Sequence, residues 1–332
     1  MAKCIVSLCI AFSLLAHEKK PIHSYLDALE LGQAIAYENL MIFPLVVKKM
    51  SNQDYTTLDE AMKKGWLHIR EIGSGEVNAV QIKNTSARTI FIMTGEIVSG
   101  AKQDRMFKED LLLAPRSGWI RAPVYCVEHG RWAHTSPAFK SEELLVPNAL
   151  RKKAKITESQ SYVWDEIASC QDKLGIASET RTVRATYADD RVQKRIDEYV
   201  RQFEAVPLLS RNTVGVVVTT GDQIICCDLF ANNALLAKLW QKLAQSYAMD
   251  ALDSNTSTVT KDMVMAFLAS LEHAQYISTG TPGLGSLMQI ESDRGKGSVL
   301  VHTSIVHMDF FPWGGFNDDG GMRLDIRRDT RR

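Results

Sequence analysis

Trp119-Ile120-Arg121-Ala122-Pro123-Val124-Tyr125-Cys126-Val127-Glu128 alternates along most of its length. In a strand, Ile120, Ala122, Val124, Cys126 and Glu128 share one face, because successive side chains point to opposite sides. An acid therefore ends an otherwise apolar face. Pro123 cannot donate a ladder hydrogen bond, so this strand is expected at a sheet edge or a bulge. Upstream, Leu40–Val47, Leu67–Ile72, Val77–Ile82 and Thr89–Met93 are short β-type runs separated by turn residues. They predict a largely antiparallel sheet over Tyr37–Glu128. One helix interrupts it at Thr57–Lys64, where Leu58, Ala61 and Met62 share a face and Gly65 supplies a stop.

Downstream the period changes. Thr157 and Gln160 form a capping-box pattern ahead of Val163, Trp164, Ile167 and Cys170, and Val192, Ile196, Tyr199 and Phe203 form a second helical stripe. Val214–Thr219 and Gln223–Cys227 flank the turn-prone Thr220-Gly221-Asp222 and predict a hairpin. Leu236, Leu239, Leu243 and Tyr247 mark a helix, and another is expected over Lys261–His273. Strand signals return at Leu287–Glu291 and, after a Gly295-Lys296-Gly297 turn, at Ser298–Met308. The Gly-rich Thr279–Gly285 leads into a strand rather than a helix, so it lacks the context of a phosphate loop. The fold class is α+β: an antiparallel β-rich N-terminal half, then helices and a second, smaller set of strands. Without repeats or a low-complexity linker, one domain is expected over 31–312, with a mobile tail over 313–332.

The 332 residues carry 39 Lys plus Arg and 39 Asp plus Glu, with 45% hydrophobic and 23% charged residues. These proportions exclude a disordered chain, a collagen, a coiled coil and a strongly basic nucleic-acid binder. At the N-terminus, Lys3 precedes the apolar run Cys4–Ala16, which gives way to His17-Glu18-Lys19-Lys20. The run is shorter than the roughly 20 residues that span a bilayer, and it matches a secretory signal peptide over residues 1–16. The expectation is a periplasmic or extracellular protein without a stable membrane anchor. If this segment is instead a buried helix, the protein is cytoplasmic. Cleavage leaves Cys126, Cys170, Cys226 and Cys227; adjacent Cys226 and Cys227 face opposite sides of a strand, and Cys170 reads as a small core hydrophobe.

Two polar clusters follow strand ends. In the first, Glu96 precedes Gly100-Ala101-Lys102-Gln103-Asp104-Arg105, where glycine permits close backbone approach and Lys102 and Arg105 offer a point charge and a forked donor to an anion. An ion pair from Glu96 to Lys102 or Arg105 that merely closes the loop is the plainer reading. The second cluster is Glu128-His129-Gly130-Arg131-Trp132, with His134 nearby. Arg131 could grip a phosphate or carboxylate, Trp132 could stack on a planar base, and Glu128 or His129 could move a proton. Trp132 as core and Arg131 as the counter-ion of Glu128 are the structural alternatives. Glu96, Glu128, His129, His134, His307 and Asp309 include metal donors, but no diagnostic zinc spacing occurs; at most His307 and Asp309 share a strand face.

At these residues the chain resembles the domain family named for its association with ADP-ribosylglycohydrolases and rhodanese-phosphatase proteins. The resemblance rests on Glu38-Asn39-Leu40 with Phe43-Pro44-Leu45, on Gly95-Glu96 with Gly100 to Arg105, and on Pro123 to Trp132, and extends more loosely to Val306-His307. It covers roughly Leu31–Pro312. It implies a role near NAD-derived or ADP-ribose-type metabolism, by association and without a mechanism. The implied pocket comprises Glu96, Lys102, Gln103, Arg105, Glu128, Arg131 and Trp132, with His129 adding a titratable group; read from the residues, Glu96 or Glu128 is the catalytic carboxylate that handles protons, with Lys102, Gln103, Arg105, His129, Arg131 and Trp132 binding the ligand. Asp104 stands where similar proteins are expected to carry Asn, and His129 where Gln is common. The function expected is processing, with hydrolysis the simplest reaction, of an ADP-ribose-type or other phosphorylated small molecule. The alternative is a noncatalytic exported binding module. Cofactor and protein partner are left unassigned.

Overall fold

The structure, a computed structural model, describes residues 22–133, 136 and 138–314. The expected signal segment, His134 and nearly all of the expected tail lie outside them. Among the described residues the strands form sheets of nine, six and three strands. The fold is α+β, with a β-rich N-terminal half followed by helices and further strands.

The nine-stranded sheet draws on both ends of the chain. Leu40–Val47, on which the short strands Leu29–Leu31 and Ile35–Tyr37 pair, lies antiparallel to Thr213–Thr220, with Phe43 opposite Val217. The expected hairpin is present as Thr213–Thr220 and Gln223–Phe230. Ile305–Pro312, Gly295–Val301, Ser286–Glu291 and Gln275–Ser278 extend the sheet. Both faces are covered, so these strands read as nearly continuous apolar runs. Ile42, Val216, Val218 and Cys226 pack with the helices, whereas Phe43, Val217, Cys227 and Phe310 belong to a second core on the other face. The four described cysteines are free.

The six-stranded sheet runs Phe139–Leu145, Glu96–Gly100, Arg105–Phe107, Ile120–Cys126, Ala79–Asn84, Leu67–Arg70. Ile120–Cys126 is therefore internal, not at an edge. Residues 120–123 pair with Ala79–Asn84 and residues 124–126 with Arg105–Phe107, so Pro123 sits where the strand changes partner. Its carbonyl still accepts from the Lys108 N–H at 3.1 Å. Leu111–Leu113, Ile90–Ile92 and Thr56–Thr57 form the small third sheet.

The helix at Leu58–Lys63 carries a capping box between Thr57 and Glu60. The box expected at Thr157 does not form. Thr157 ends a preceding helix, Asn148–Thr157, and Gln160 turns its amide onto Cys126, accepting from its N–H at 2.8 Å and donating to its carbonyl at 2.9 Å. Asp190–Phe203 and Asn233–Ala251 are the helices of the two apolar stripes, and Lys261–Ala269 is shorter than expected. The single strand expected over Ser298–Met308 is two strands, and Gly295-Lys296-Gly297 lies within the first rather than in a turn. Gly297 has a steric reason: a Cβ there would stand 2.0 Å from the Asp309 carbonyl oxygen. The same holds at Gly215, whose Cβ would lie 2.3 Å from the Asp228 carbonyl oxygen.

Asp228, fully buried, joins these parts. Arg151 grips it with two bonds, Nη2 to Oδ1 at 2.6 Å and Nη1 to Oδ2 at 3.0 Å. The Tyr247 hydroxyl donates to Oδ2 at 2.6 Å. His307 stands between carboxylates, Nδ1 at 2.7 Å from Asp110 and Nε2 at 3.3 Å from Asp228. Burial pushes the His307 imidazole down, but Asp110 and Asp228 outweigh it and raise its pKa to about 9. Burial pushes the carboxyl of Asp228 up, and the cations around it hold it well below the usual range. A histidine whose pKa is raised on folding stabilises fully below its unfolded value of about 6.5, and that contribution is lost as pH rises through the folded value. Urea unfolding is therefore expected to show stability falling from about pH 6.5 to beyond pH 9, with a smaller slope in His307→Gln. Asp228→Ala, which leaves Arg151 buried without its partner, is expected to cost about 3–5 kcal/mol.

Candidate functional site

Two loops meet at one end of the six-stranded sheet: 101–104, between Glu96–Gly100 and Arg105–Phe107, and the segment that follows Ile120–Cys126. The first turns through Gly100 and Ala101, both with positive φ. The second is tied back by Gly130, whose N–H donates to the Thr180 carbonyl at 2.9 Å. A β-bridge between Glu128 and Thr182 brings in the helix Val183–Ala188.

The geometry unites most of the residues singled out from sequence. Gln103 Nε2 donates to the Glu128 carbonyl at 2.8 Å, and the Asp104 N–H donates to the Glu128 carboxylate at 3.1 Å. Arg131 binds that carboxylate through Nη2 at 2.5 Å and Nε at 2.9 Å, and reaches the Ala101 carbonyl at 2.9 Å and Asp104 at 3.3 Å. Arg105 is fully buried; it donates to Gln103 Oε1 at 3.0 Å and lies 3.8 Å from Glu71. Its Nε has no hydrogen-bond partner among the described residues. Trp132 is 47% exposed, so it is not core, and the Lys102 ammonium and Arg105 guanidinium lie 5.0 and 5.7 Å from its ring centre.

His129 rests its ring 4.3 Å from that of Trp164. Glu96 does not join the cluster. It is buried among Lys242, whose ammonium it accepts together with Asp59, and the Met93 N–H at 2.7 Å. The loop-closing pair from Glu96 to Lys102 or Arg105 is thus replaced by one with a lysine from the helix Asn233–Ala251. Desolvation pushes the Glu96 carboxyl up to about 7 against the pull of Lys242. Glu128 responds in the opposite sense: burial raises it, but Arg131, the Thr180 hydroxyl and the Asp104 N–H together hold it below the ordinary range.

Sequence reasoning did not single out Glu71, Glu142, Thr182 or Arg184. Arg184 Nε bonds Asp104 at 2.6 Å, the Thr182 hydroxyl bonds the same oxygen at 2.9 Å, and Arg184 lies 3.8 Å from Glu142. Asp104, which stands where Asn is expected in similar proteins, is a fully buried anchor shared by Arg131 and Arg184. No local motif marks Arg184, which lies far from the loops in sequence. His307 and Asp309 have separate partners: Asp309 accepts from the Ser298 N–H at 2.7 Å and pairs with Lys155 at 3.2 Å. Among the described residues no group of three His, Cys, Asp or Glu side chains could hold a metal ion.

Residues 28–311 match the family described as ARG and Rhodanese-Phosphatase-superfamily-associated Protein domain. The chain belongs to this family. Neither curated proteins nor solved structures give a significant match. Within this member of the ARG and Rhodanese-Phosphatase-superfamily-associated family, the two loops carrying the quoted motifs are those that meet around Glu128 and Trp132. No helix of the described residues is long and apolar enough to cross a membrane.

The inner and outer parts of the cluster differ in what they support. Arg131→Ala leaves the buried Glu128 without its cation, while Asp104 keeps Arg184, and is expected to cost about 3–5 kcal/mol in urea unfolding. Trp132→Ala removes a half-exposed ring and is expected to cost less than about 1 kcal/mol.

Proposed function

We propose that this protein binds and processes a phosphate-bearing, nucleotide-derived small molecule of the ADP-ribose type at the Lys102–Trp132 mouth of the loop cluster. The observation that carries this reading is the half-exposed Trp132 with the Lys102 ammonium 5.0 Å from its ring centre. Among the described residues Lys102 has no carboxylate within ion-pair distance, whereas Arg105, Arg131 and Arg184 each face one. A planar base laid on the indole brings its anionic substituent to this cation. Arg105 and Gln103 form the floor beneath, and Arg131 fixes Glu128 rather than gripping the ligand. The family's association with ADP-ribosylglycohydrolases supports the ligand class.

For turnover, Glu128 is the candidate carboxylate, and Arg131 favours its ionised form; the Glu71 carboxylate, which accepts from the Lys102 N–H at 3.3 Å, lies against the same loop. An ionised carboxylate accepts a proton, so its role in a hydrolysis is to activate water rather than to protonate a leaving group. A second reading, an exported module that recognises the ligand without converting it, is favoured by how completely Arg131 and the Asp104 N–H engage the Glu128 carboxylate.

Thermal unfolding with ADP-ribose, AMP, NAD and inorganic phosphate tests the binding reading. Ligand at about 100 times its dissociation constant is expected to stabilise the fold by roughly 2.7 kcal/mol, and Lys102→Ala and Trp132→Ala are each expected to abolish the shift. If none of these compounds stabilises the protein, the nucleotide reading fails. Glu128→Gln is expected to keep the shift and lose product formation, followed by chromatography of the incubated nucleotide; ligand binding without product in the unaltered protein selects the recognition module.

A further inference from the structure

A cavity of about 690 Å³ is lined by none of the side chains named in the loop cluster, although Val183 and Thr186 in its wall come from the helix that carries Arg184. Its walls come from the helices Asn148–Thr157, Gln160–Leu174, Val183–Ala188 and Asn233–Ala251, and from the hairpin turn at Thr220–Gln223 with the loop 253–258. The volume is that of a small-molecule site, and such sites join apolar walls to a few placed polar groups. Here Leu150, Ile167, Cys170, Leu174, Val183 and Met249 supply the apolar surface.

The charged lining is Glu166, Asp222, Asp250 and Asp253 against Lys173. Glu166 already has a cation, Lys153 at 3.6 Å. Asp250 does not: among the described residues no lysine or arginine comes within ion-pair distance of it. It accepts from the Ala149 N–H at 3.0 Å and from Asn148 Nδ2 at 3.1 Å, capping a helix whose own N-cap position is Pro147. Each carboxylate oxygen can accept more than one hydrogen bond, so both retain acceptor capacity. Asn148 is fully buried beside the cavity, its Nδ2 shared between the lining residues Asp250 and Ile225, and its Oδ1 has no hydrogen-bond partner among the described residues. The lining thus sets four carboxylates against one lysine, and one of the four, Asp250, forms no ion pair among the described residues. An ammonium group is the complement: three donors, no acceptor and one positive charge.

We propose that this cavity binds a small amphipathic cation, an amine on an apolar body, with its ammonium on Asp250 and its apolar part against Leu150, Ile167 and Leu174. The site is independent of the nucleotide reading. Desolvation raises the Asp250 carboxyl to about 6, against the bonds from Ala149 and Asn148 and the weaker pull of Lys152.

Calorimetric titration with tryptamine, compared with tryptophol, tests this, since the two differ in carrying an ammonium or a hydroxyl on the same indole. Tryptamine is expected to bind about tenfold tighter or more, the range of a charge-assisted hydrogen bond. Asp250→Asn is expected to erase that difference, and Lys102→Ala to leave it intact. Because Asp250 also caps a helix, a second measurement uses the unaltered chain: tryptamine is expected to slow modification of Cys170 by methyl methanethiosulfonate, located by peptide mass spectrometry. Equal binding of the two indoles, no binding by either, or unchanged Cys170 modification each overturns the proposal.

Discussion

The bidentate pair between Arg151 and Asp228 constrains the position of almost every element around it. Asp228 belongs to a central strand of the nine-stranded sheet, Arg151 to the first helix after the six-stranded sheet, and Tyr247, which donates to the same carboxylate, to the longest helix. His307 then links Asp228 to Asp110, whose other oxygen accepts from the Thr94 N–H at 2.9 Å at the turn before Glu96–Gly100. Removing a charge of this kind from water costs several kcal/mol, and the cost is offset only when geometry and hydrogen bonding are complete. The network therefore specifies one relative placement of the two sheets: a shift of either would leave a buried ion without its partner.

The same principle separates the loop cluster into an inner and an outer part. Asp104 and Glu128 are buried acids that need Arg131 and Arg184, so these arginines are committed to holding two loops and the Thr182 turn together. Their commitment leaves the half-exposed Trp132, with the partly buried Lys102 beside it, outside this ion-pair network. Glu96, adjacent to the loop in sequence, is drawn into the Lys242 and Asp59 network instead. Two acids of the same family-like motif region thus acquire opposite protonation tendencies, one pushed up by burial and the other held down by arginine.

The fold class, most strands and the major helices were legible because period 2 and period 3.6 are local properties: Leu40–Val47, the hairpin after Thr213 and the stripe from Leu236 to Tyr247 were all readable in short windows. Pro123 illustrates where a local rule stops. A proline without an N–H does suggest an edge, but the neighbouring strands arranged for the pairing to change sides at that residue. Thr157 likewise matched a capping pattern, yet the preceding helix Asn148–Thr157 had already incorporated it, and Gln160 found a better partner in the Cys126 backbone.

By itself, the sequence determined which segments alternate, which turn, and which two loops carry dense charge beside glycine and tryptophan, because these depend on neighbours a few residues apart. Only the tertiary structure decided that Leu40–Val47 lies against Thr213–Thr220, that Glu96 belongs to Lys242, and that Asp250 lines a cavity with no ion-pair partner among the described residues. The physical reason is that pairing and burial are set by contacts between residues a hundred or more positions apart. The charge on a side chain is written in the sequence, but whether that charge is neutralised, shifted or left available depends on what the fold places against it.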